Sequence, residues 1–164
     1  MHTDFSRIKA VIMDVDGVLT EGKIIYDARG EEIKVFDVKD GYGIAKLRDA
    51  GIKTAIISAR ISAPVEARAR GLGIDLVYQD AHPKLSFYEK AKAELNVDDD
   101  DICYVGDDIP DIPPMQRAGI AAAVADASAE VKDAADYISR SRGGQGAIRE
   151  IAEQILKSQG AWDA

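Results

Sequence analysis

The stretch AVIMDVDGVLTEG, residues 10–22, decides how this chain is read. An apolar run halts at two aspartates one residue apart, Asp14 and Asp16, and Gly17 follows at once. A run that is apolar on both parities fits a strand buried on both faces of a parallel sheet. IKAVIMD (8–14) is the first such run, and IKTAIIS (52–58), LVYQD (76–80), ICYVGD (102–107) and IAAAVAD (120–126) are of the same kind. Helical patterns lie between them. Residues 41–50 carry Ile44 and Leu47 and stop at Gly51, residues 84–95 carry Leu85, Tyr88 and Leu95, and residues 146–157 space Ile148, Ile151, Ile155 and Leu156 on one face. With no linker or repeat to divide it, the chain is expected to form one α/β domain over residues 1–164, a Rossmann-like parallel sheet flanked by helices. KIIYDARGEEIKVFDV, residues 23–38, breaks the rhythm and reads as an inserted β-hairpin turning at Asp27 to Gly30.

Composition narrows the function. A chain of 164 residues can bury about 70% of the surface its unfolded form exposes, so it needs no staples. A net charge of −8, a pI near 4.8 and no Lys/Arg block argue against nucleic acid or an anionic membrane as the main partner. An anionic substrate therefore needs a local positive site or a metal. The lone Cys103 cannot form an internal disulfide, reads as core packing and fits a reducing cytoplasm. The run from Ile8 to Met13, broken by Lys9, is too short for a signal peptide, and nothing approaches ~20 apolar residues, so a soluble cytoplasmic protein is expected.

Four of the expected strands end in a polar residue, at Asp14, Ser58, Asp80 and Asp107. The carboxyl edge of an open parallel sheet is where ligands bind, so these residues should converge. Each has a plain alternative on its own. Asp-Gly commonly marks a turn, Ser58 could cap a helix, and a lysine such as Lys84 in a first helical turn is usually solvated. An EF-hand loop is excluded, because counting from Asp14 its required Gly and Glu positions hold Leu19 and Ile25. DDDD, residues 98–101, is expected to be a solvated turn without a basic counterpart or a capping role. His82 reads as a loop residue beside Pro83; with His2 and Cys103 as its only companions no zinc set can be assembled, and its closeness to Lys84 leaves a minor substrate role open.

The ordered set DVDGVLT, IISAR, Lys84 and VGDDIPD resembles the four motifs of the haloacid dehalogenase superfamily of phosphotransferases. The resemblance implies that Asp14 attacks phosphorus as a nucleophile while Asp16 serves as general acid and base. It implies Mg²⁺ held by Asp14, the main-chain carbonyl of Asp16, and Asp107. Ser58 would hydrogen-bond a phosphoryl oxygen, Lys84 would anchor the phosphate, and Asp108 and Asp111 would orient Lys84 or metal-bound waters.

Many members of that superfamily carry a cap domain. Here 41 residues separate Asp16 from Ser58 and 25 separate Ser58 from Lys84, which leaves no room for one. The elements DVDGVLT-G-I-Y, GEE-K-F-V-DGYGI, VGDDI-D-P-M and GGQGAIRE resemble the capless 3-deoxy-D-manno-octulosonate 8-phosphate phosphatase family and its relatives acting on nonulosonate (KDN or N-acylneuraminate) 9-phosphates. That narrower resemblance implies a phosphorylated sugar acid as substrate, a place in lipopolysaccharide precursor synthesis, and a homotetramer assembled through the hairpin. Association would bury Ile24, Ile25, Val35 and Phe36, although a hairpin folded back on its own domain is the alternative. Asp40 and Gly41 would sit beside the phosphoryl site at a helix start. Ala59 and Arg60 follow Ser58, with Arg60 suited to a carboxylate or phosphate. Gly143, Gly144 and Gly146 could form a lid from a neighbouring subunit or an ordinary turn before the last helix. The family usually has Thr-Gly-Arg where this chain has Ser58-Ala59-Arg60, and His82-Pro83 also departs from its pattern. A phospho-receiver domain and a non-catalytic assembly module are the rival classes; the motif order and the intact acidic set favour the enzyme.

Overall fold

The computed structural model describes residues 3–163. In chain order, β1 (Ala10–Met13) leads into the β2 (Ile25–Tyr26) and β3 (Glu32–Ile33) hairpin and helix α1 (Val38–Asp49). Then come β4 (Lys53–Ile57), α2 (Ala63–Leu72), β5 (Leu76–Tyr78), α3 (Lys84–Leu95) and β6 (Ile102–Gly106). The chain ends with α4 (Ile112–Arg117), β7 (Ile120–Ala123), α5 (Ala129–Asp133), β8 (Tyr137–Ile138) and α6 (Ala147–Ser158).

Six strands form one parallel sheet in the order β5-β4-β1-β6-β7-β8. β1 is central: Ala10 to Met13 pair with Lys53 to Ile56 on one side and with Ile102 to Val105 on the other. Helices cover both faces of a parallel sheet, so Val11, Ile12 and Met13 are buried at every position, and the apolar run needs no alternation. Strand order reverses direction at β1, and this switch opens a crevice at its carboxyl end. α6 packs on α1 and buries Ile148, Ile151, Ile155 and Leu156. Cys103 is free and buried in β6. Among the described residues no helix is long and apolar enough to cross a membrane.

The helix expected over 41–50 begins three residues earlier. The Asp37 carboxylate caps it, accepting from the backbone N–H of Lys39 (2.6 Å) and Asp40 (3.3 Å). Three helices and one strand carry little sequence signal: α2 buries only Val65 and Ala69, α4 starts with prolines that are tolerated in a first turn, α5 is five residues long, and β8 is a two-residue edge.

The DDDD run is a correction. Asp98 caps a short 3₁₀ turn over Asp99–Asp101 in a reciprocal box, and Asp101 is buried. Its basic counterparts come from elsewhere in the chain: Lys9 reaches Asp101 at 3.0 Å, Arg7 reaches Asp100 at 3.2 Å, and Lys92 and Arg117 reach Asp99 at 2.9 and 3.3 Å. Sequence distance hid them.

The hairpin pairs Ile25 with Ile33 and Tyr26 with Glu32, apart from the main sheet. The Asp27 carboxylate closes its turn by accepting from the N–H of Arg29 and Glu31. Ile24, Ile25, Tyr26, Ile33, Val35 and Val38 are all exposed. Phe36 is not. It turns inward against the core, with the Arg68 guanidinium 5.8 Å from its ring centre.

Candidate active site

At the switch point lies a cleft of about 280 Å³. Asp14 is still held by the sheet, its N–H donating to the Val105 carbonyl at 3.1 Å. The chain then coils tightly, with Val18, Leu19 and Thr20 N–H groups all donating to the Val15 carbonyl. The Thr20 hydroxyl accepts from the N–H of Gly17 and Gly22, tying the loop shut, a role that sequence inspection did not find. Gly17 lies at φ +90°, and a Cβ there would stand 1.9 Å from Asp107 Oδ2. That glycine is therefore what lets the Asp107 carboxylate approach the loop that carries the aspartate pair.

Lys84, the first residue of α3, buries its side chain between two carboxylates, 3.0 Å from Asp14 Oδ1 and 2.7 Å from Asp111 Oδ1. Asp111 Oδ1 also accepts from the Tyr104 hydroxyl at 2.9 Å, and Oδ2 accepts from the N–H of Asp107 and Asp108. A carboxylate offers about four lone-pair sites, and all four of Asp111 are used. Asp111 thus fixes Lys84, although its oxygen lies within 4.8 Å of those of Asp14 and Asp107. Gly106 makes this return possible, since a Cβ there would be 2.4 Å from the Asp111 Cβ.

Asp107 differs from Asp111: its Oδ1 is buried and has no hydrogen-bond partner. Three carboxylates face one ammonium, and the electrostatics follow. Burial, and then the neighbouring Asp111, push the Asp14 carboxyl above the ordinary range against the opposing pull of Lys84. Burial, and then Asp14 and Asp111, do the same to Asp107. Burial works against the Lys84 ammonium, but Asp14 and Asp111 outweigh it and hold its pKa above the usual lysine value. The buried, unpartnered Oδ1 of Asp107 beside the Asp14 carboxylate fits a hard divalent cation, with Asp14 and Asp107 as side-chain ligands.

Ser58 and Ala59 line the opposite wall. Ser58 is not a helix cap, because α2 opens only after Ser62. Its backbone is locked by the Tyr78 carbonyl (2.9 Å) and the Ala81 N–H (3.0 Å), leaving the hydroxyl at the cleft. Arg60 also lines the cleft; its Nη2 donates to Glu32 at 3.0 Å, and its Nε lies 3.9 Å from Asp16 Oδ2. The hairpin reaches in beside it, with Lys34 Nζ 2.5 Å from Asp16 Oδ1 and 2.9 Å from Glu32. Glu32 and Lys34 went unremarked in the sequence. Their spacing of two within the segment expected as the second hairpin strand, which would put both on one face, is the signal that could have marked them.

Other expected positions lie elsewhere. Asp40 and Gly41 do not line the cleft. The buried Asp40 carboxylate accepts from the Arg149 N–H at 3.0 Å and anchors the start of α6, with burial pushing its pKa up to about 6. Gly41 makes room for Arg68, whose Nη2 would be 2.4 Å from a Cβ. Asp108 does line the cleft, where it is exposed and accepts from the Ile109 N–H at the start of a short turn, while the ion pairs of Lys84 are with Asp14 and Asp111. Asp80 and His82 are exposed and do not line the cleft, and His2 lies outside the described residues. The 143–146 glycines form the turn before α6. Gly144 N–H donates to the Val18 carbonyl at 2.9 Å, and a Cβ on Gly143 would stand 1.7 Å from the Gly17 carbonyl oxygen, so this backbone braces the aspartate loop of its own chain.

The haloacid dehalogenase-like hydrolase family profile matches residues 40–119. The chain is 42% identical over 157 residues, 96% of its own length and 84% of the relative's, to the 3-deoxy-D-manno-octulosonate 8-phosphate phosphatase of Escherichia coli K12. It is similar to the crystal structure of that phosphatase from Moraxella catarrhalis in complex with magnesium, phosphate and KDO, with a TM-score of 0.93 and 39% identity over 96% of this chain and 90% of that one. The cobalt-bound Haemophilus influenzae phosphatase gives 0.93 and 42%, covering 96% and 92%.

Proposed function

The chain belongs to the 3-deoxy-D-manno-octulosonate 8-phosphate phosphatase family of haloacid dehalogenase-like hydrolases, and from that premise we propose that it uses Mg²⁺ to hydrolyse this ester to the free sugar acid and phosphate. The observation that carries the reading is Asp14 held at the end of a central strand beside buried Lys84 and the unpartnered oxygen of Asp107. Membership of an enzyme family sets aside the receiver and assembly-module alternatives.

Hydrolysis of a phosphate monoester asks for up to ~10²¹-fold acceleration, about 29 kcal/mol, so several groups must share the work. Asp14 attacks phosphorus, the bond to the sugar oxygen breaks, and an aspartyl phosphate forms. Asp16 gives its proton to the departing oxygen, then takes one from the water that attacks the aspartyl phosphate, regenerating Asp14 and releasing inorganic phosphate. Lys84, fixed by Asp111, holds a phosphoryl oxygen and screens the incoming dianion from the carboxylates. Ser58 donates to a second phosphoryl oxygen, and Arg60 faces the sugar acid's carboxylate or its phosphate. Mg²⁺, bound by Asp14, Asp107 and the main-chain carbonyl of Asp16, supplies the positive charge that lets an anionic nucleophile meet an anionic ester.

The test is phosphate release across sugar phosphates of six to nine carbons. Turnover with Mg²⁺ should be highest on the octulosonate 8-phosphate, fall to background in EDTA and return when Mg²⁺ is restored. A preference for nonulosonate 9-phosphates would reassign the substrate within the relatives, and a preference for hexose phosphates would remove the sugar-acid assignment.

The homotetramer belongs to this proposal. An isolated two-stranded ribbon is marginal in water, and this one exposes six large apolar side chains between Ile24 and Val38. Association through the hairpin covers them and closes a cleft that has no cap of its own. In sedimentation experiments the double variant Ile25→Lys, Val35→Glu should run as a monomer, with kcat/KM lowered by about tenfold or more; an unchanged assembly would remove the hairpin from the interface. The proposed setting is the cytoplasm of a host that makes lipopolysaccharide, where the product is a precursor.

A further inference from the structure

Lys34 is out of place for a hairpin lysine. Lys34 directly follows β3, and its chain neighbours Ile33 and Val35 are 45% and 64% exposed, yet the Lys34 side chain is 2% exposed. It lies under the hairpin at the mouth of the cleft, 2.5 Å from Asp16 Oδ1 and 2.9 Å from Glu32 Oε1. The same Glu32 oxygen accepts from Arg60 Nη2 at 3.0 Å, and Arg60 Nε lies 3.9 Å from the other Asp16 oxygen. The four side chains close a ring of alternating charge in which each Asp16 oxygen faces its own cation. Lys34 does not line the cleft, so it does not reach the phosphoryl group. What it touches is Asp16.

We propose that Lys34, backed by Glu32, is a positioning residue that aims the Asp16 carboxyl at the leaving oxygen. The inference rests on Asp16 acting as the general acid. Asp16 is followed by a glycine in the left-handed region, and its side chain is 21% exposed, so nothing in its own loop fixes its side-chain rotamer. Two cations on opposite oxygens do. The hairpin expected to assemble the enzyme thereby also supplies part of the proton-transfer apparatus.

The leaving group is the probe. An alkoxide from a sugar ester must be protonated as it leaves, whereas nitrophenolate departs without a proton. kcat/KM reports the enzyme up to the first irreversible step, the formation of aspartyl phosphate, and is blind to its later hydrolysis. Lys34→Met should lower kcat/KM about 100-fold on the octulosonate 8-phosphate and less than about fivefold on p-nitrophenyl phosphate, within the range general acid catalysis contributes. Lys34→Arg should recover most of the sugar-ester loss, and Glu32→Gln should show the same selectivity at about tenfold. Asp16→Asn, run in parallel, should show the selectivity at larger amplitude. Equal losses on both esters, or a sugar-ester loss under about threefold, in Lys34→Met while Asp16→Asn remains selective would overturn the role of Lys34 alone. An unselective Asp16→Asn would overturn the acid role itself. If Lys34→Met does not fold by circular dichroism, Lys34→Gln and Glu32→Gln decide by the same two ratios.

Discussion

Asp14→Asn retains no more than about one part in 10⁵ of parental phosphate release, in line with what removal of a covalent nucleophile costs elsewhere. The carboxamide matches the carboxylate in shape, so the β1 end, the loop ties through Thr20 and the seat of Asp107 all survive. It carries no charge to attack phosphorus and is a poor ligand for the metal. The loss therefore falls on kcat, and sugar-ester and aryl-ester turnover fall together, unlike the pattern expected for Lys34→Met. Stability moves the other way. Burial and Asp111 raise the Asp14 pKa above its unfolded value, so the folded state prefers the protonated carboxyl. That preference stabilises the fold at pH values below the unfolded pKa and is lost as pH rises through the folded one. At pH 8 in EDTA the Asn variant, free of this burden, should unfold at a higher temperature than the parent, and the gap should narrow towards pH 5. Parental turnover by a variant that mass spectrometry shows to be free of deamidation would remove Asp14 as the nucleophile.

Lys84→Met is the second large effect, and here activity and stability fall together. Among the described residues Lys84 is the only cation between Asp14 and Asp111, and its side chain is 4% exposed. Taking one partner out of a buried ion pair typically costs about 3–5 kcal/mol, because the remaining charge stays buried. For a chain of this size that corresponds to a fall in melting temperature of roughly 10 °C in EDTA. The methionine fills the same volume, so the loss is electrostatic rather than a cavity. Turnover should drop about 10³-fold, of the order found when one preorganised donor to a transition-state anion is removed. Calorimetry and phosphate release on the same preparation check both halves. A variant as stable as the parent would mean that Lys84 is not what offsets the carboxylates.

Much of this molecule is legible in its residues, and the limits have physical causes. Strands buried on both faces must be apolar throughout, so β1, β4, β6 and β7 announce themselves, and the polar residue that ends each run marks the carboxyl edge. α3 matches its expected span, residue for residue. α2 escapes notice because Ala and Arg dominate it and only two of its residues are buried. Asp40 misleads because a buried aspartate near a glycine-rich helix start resembles an anion-site residue, yet its partner is the backbone of Arg149, 109 positions away. Asp98 to Asp101 mislead for the same reason, since Lys9 and Arg117 come together with them only in the folded state. Lys34 and Glu32 could be read as a strand face but not as a tether, because tertiary packing decides what lies beneath that face.

The bracing of the aspartate loop by Gly143 and Gly144 imposes an order in time. A ribosome makes the DVDG loop first, and the backbone that clamps it emerges more than 120 residues later. Until then the nascent chain carries Asp14 and Asp16 on an unclamped loop. The brace on this loop is therefore a late step of folding, and a polypeptide truncated before residue 140 is expected to lack it.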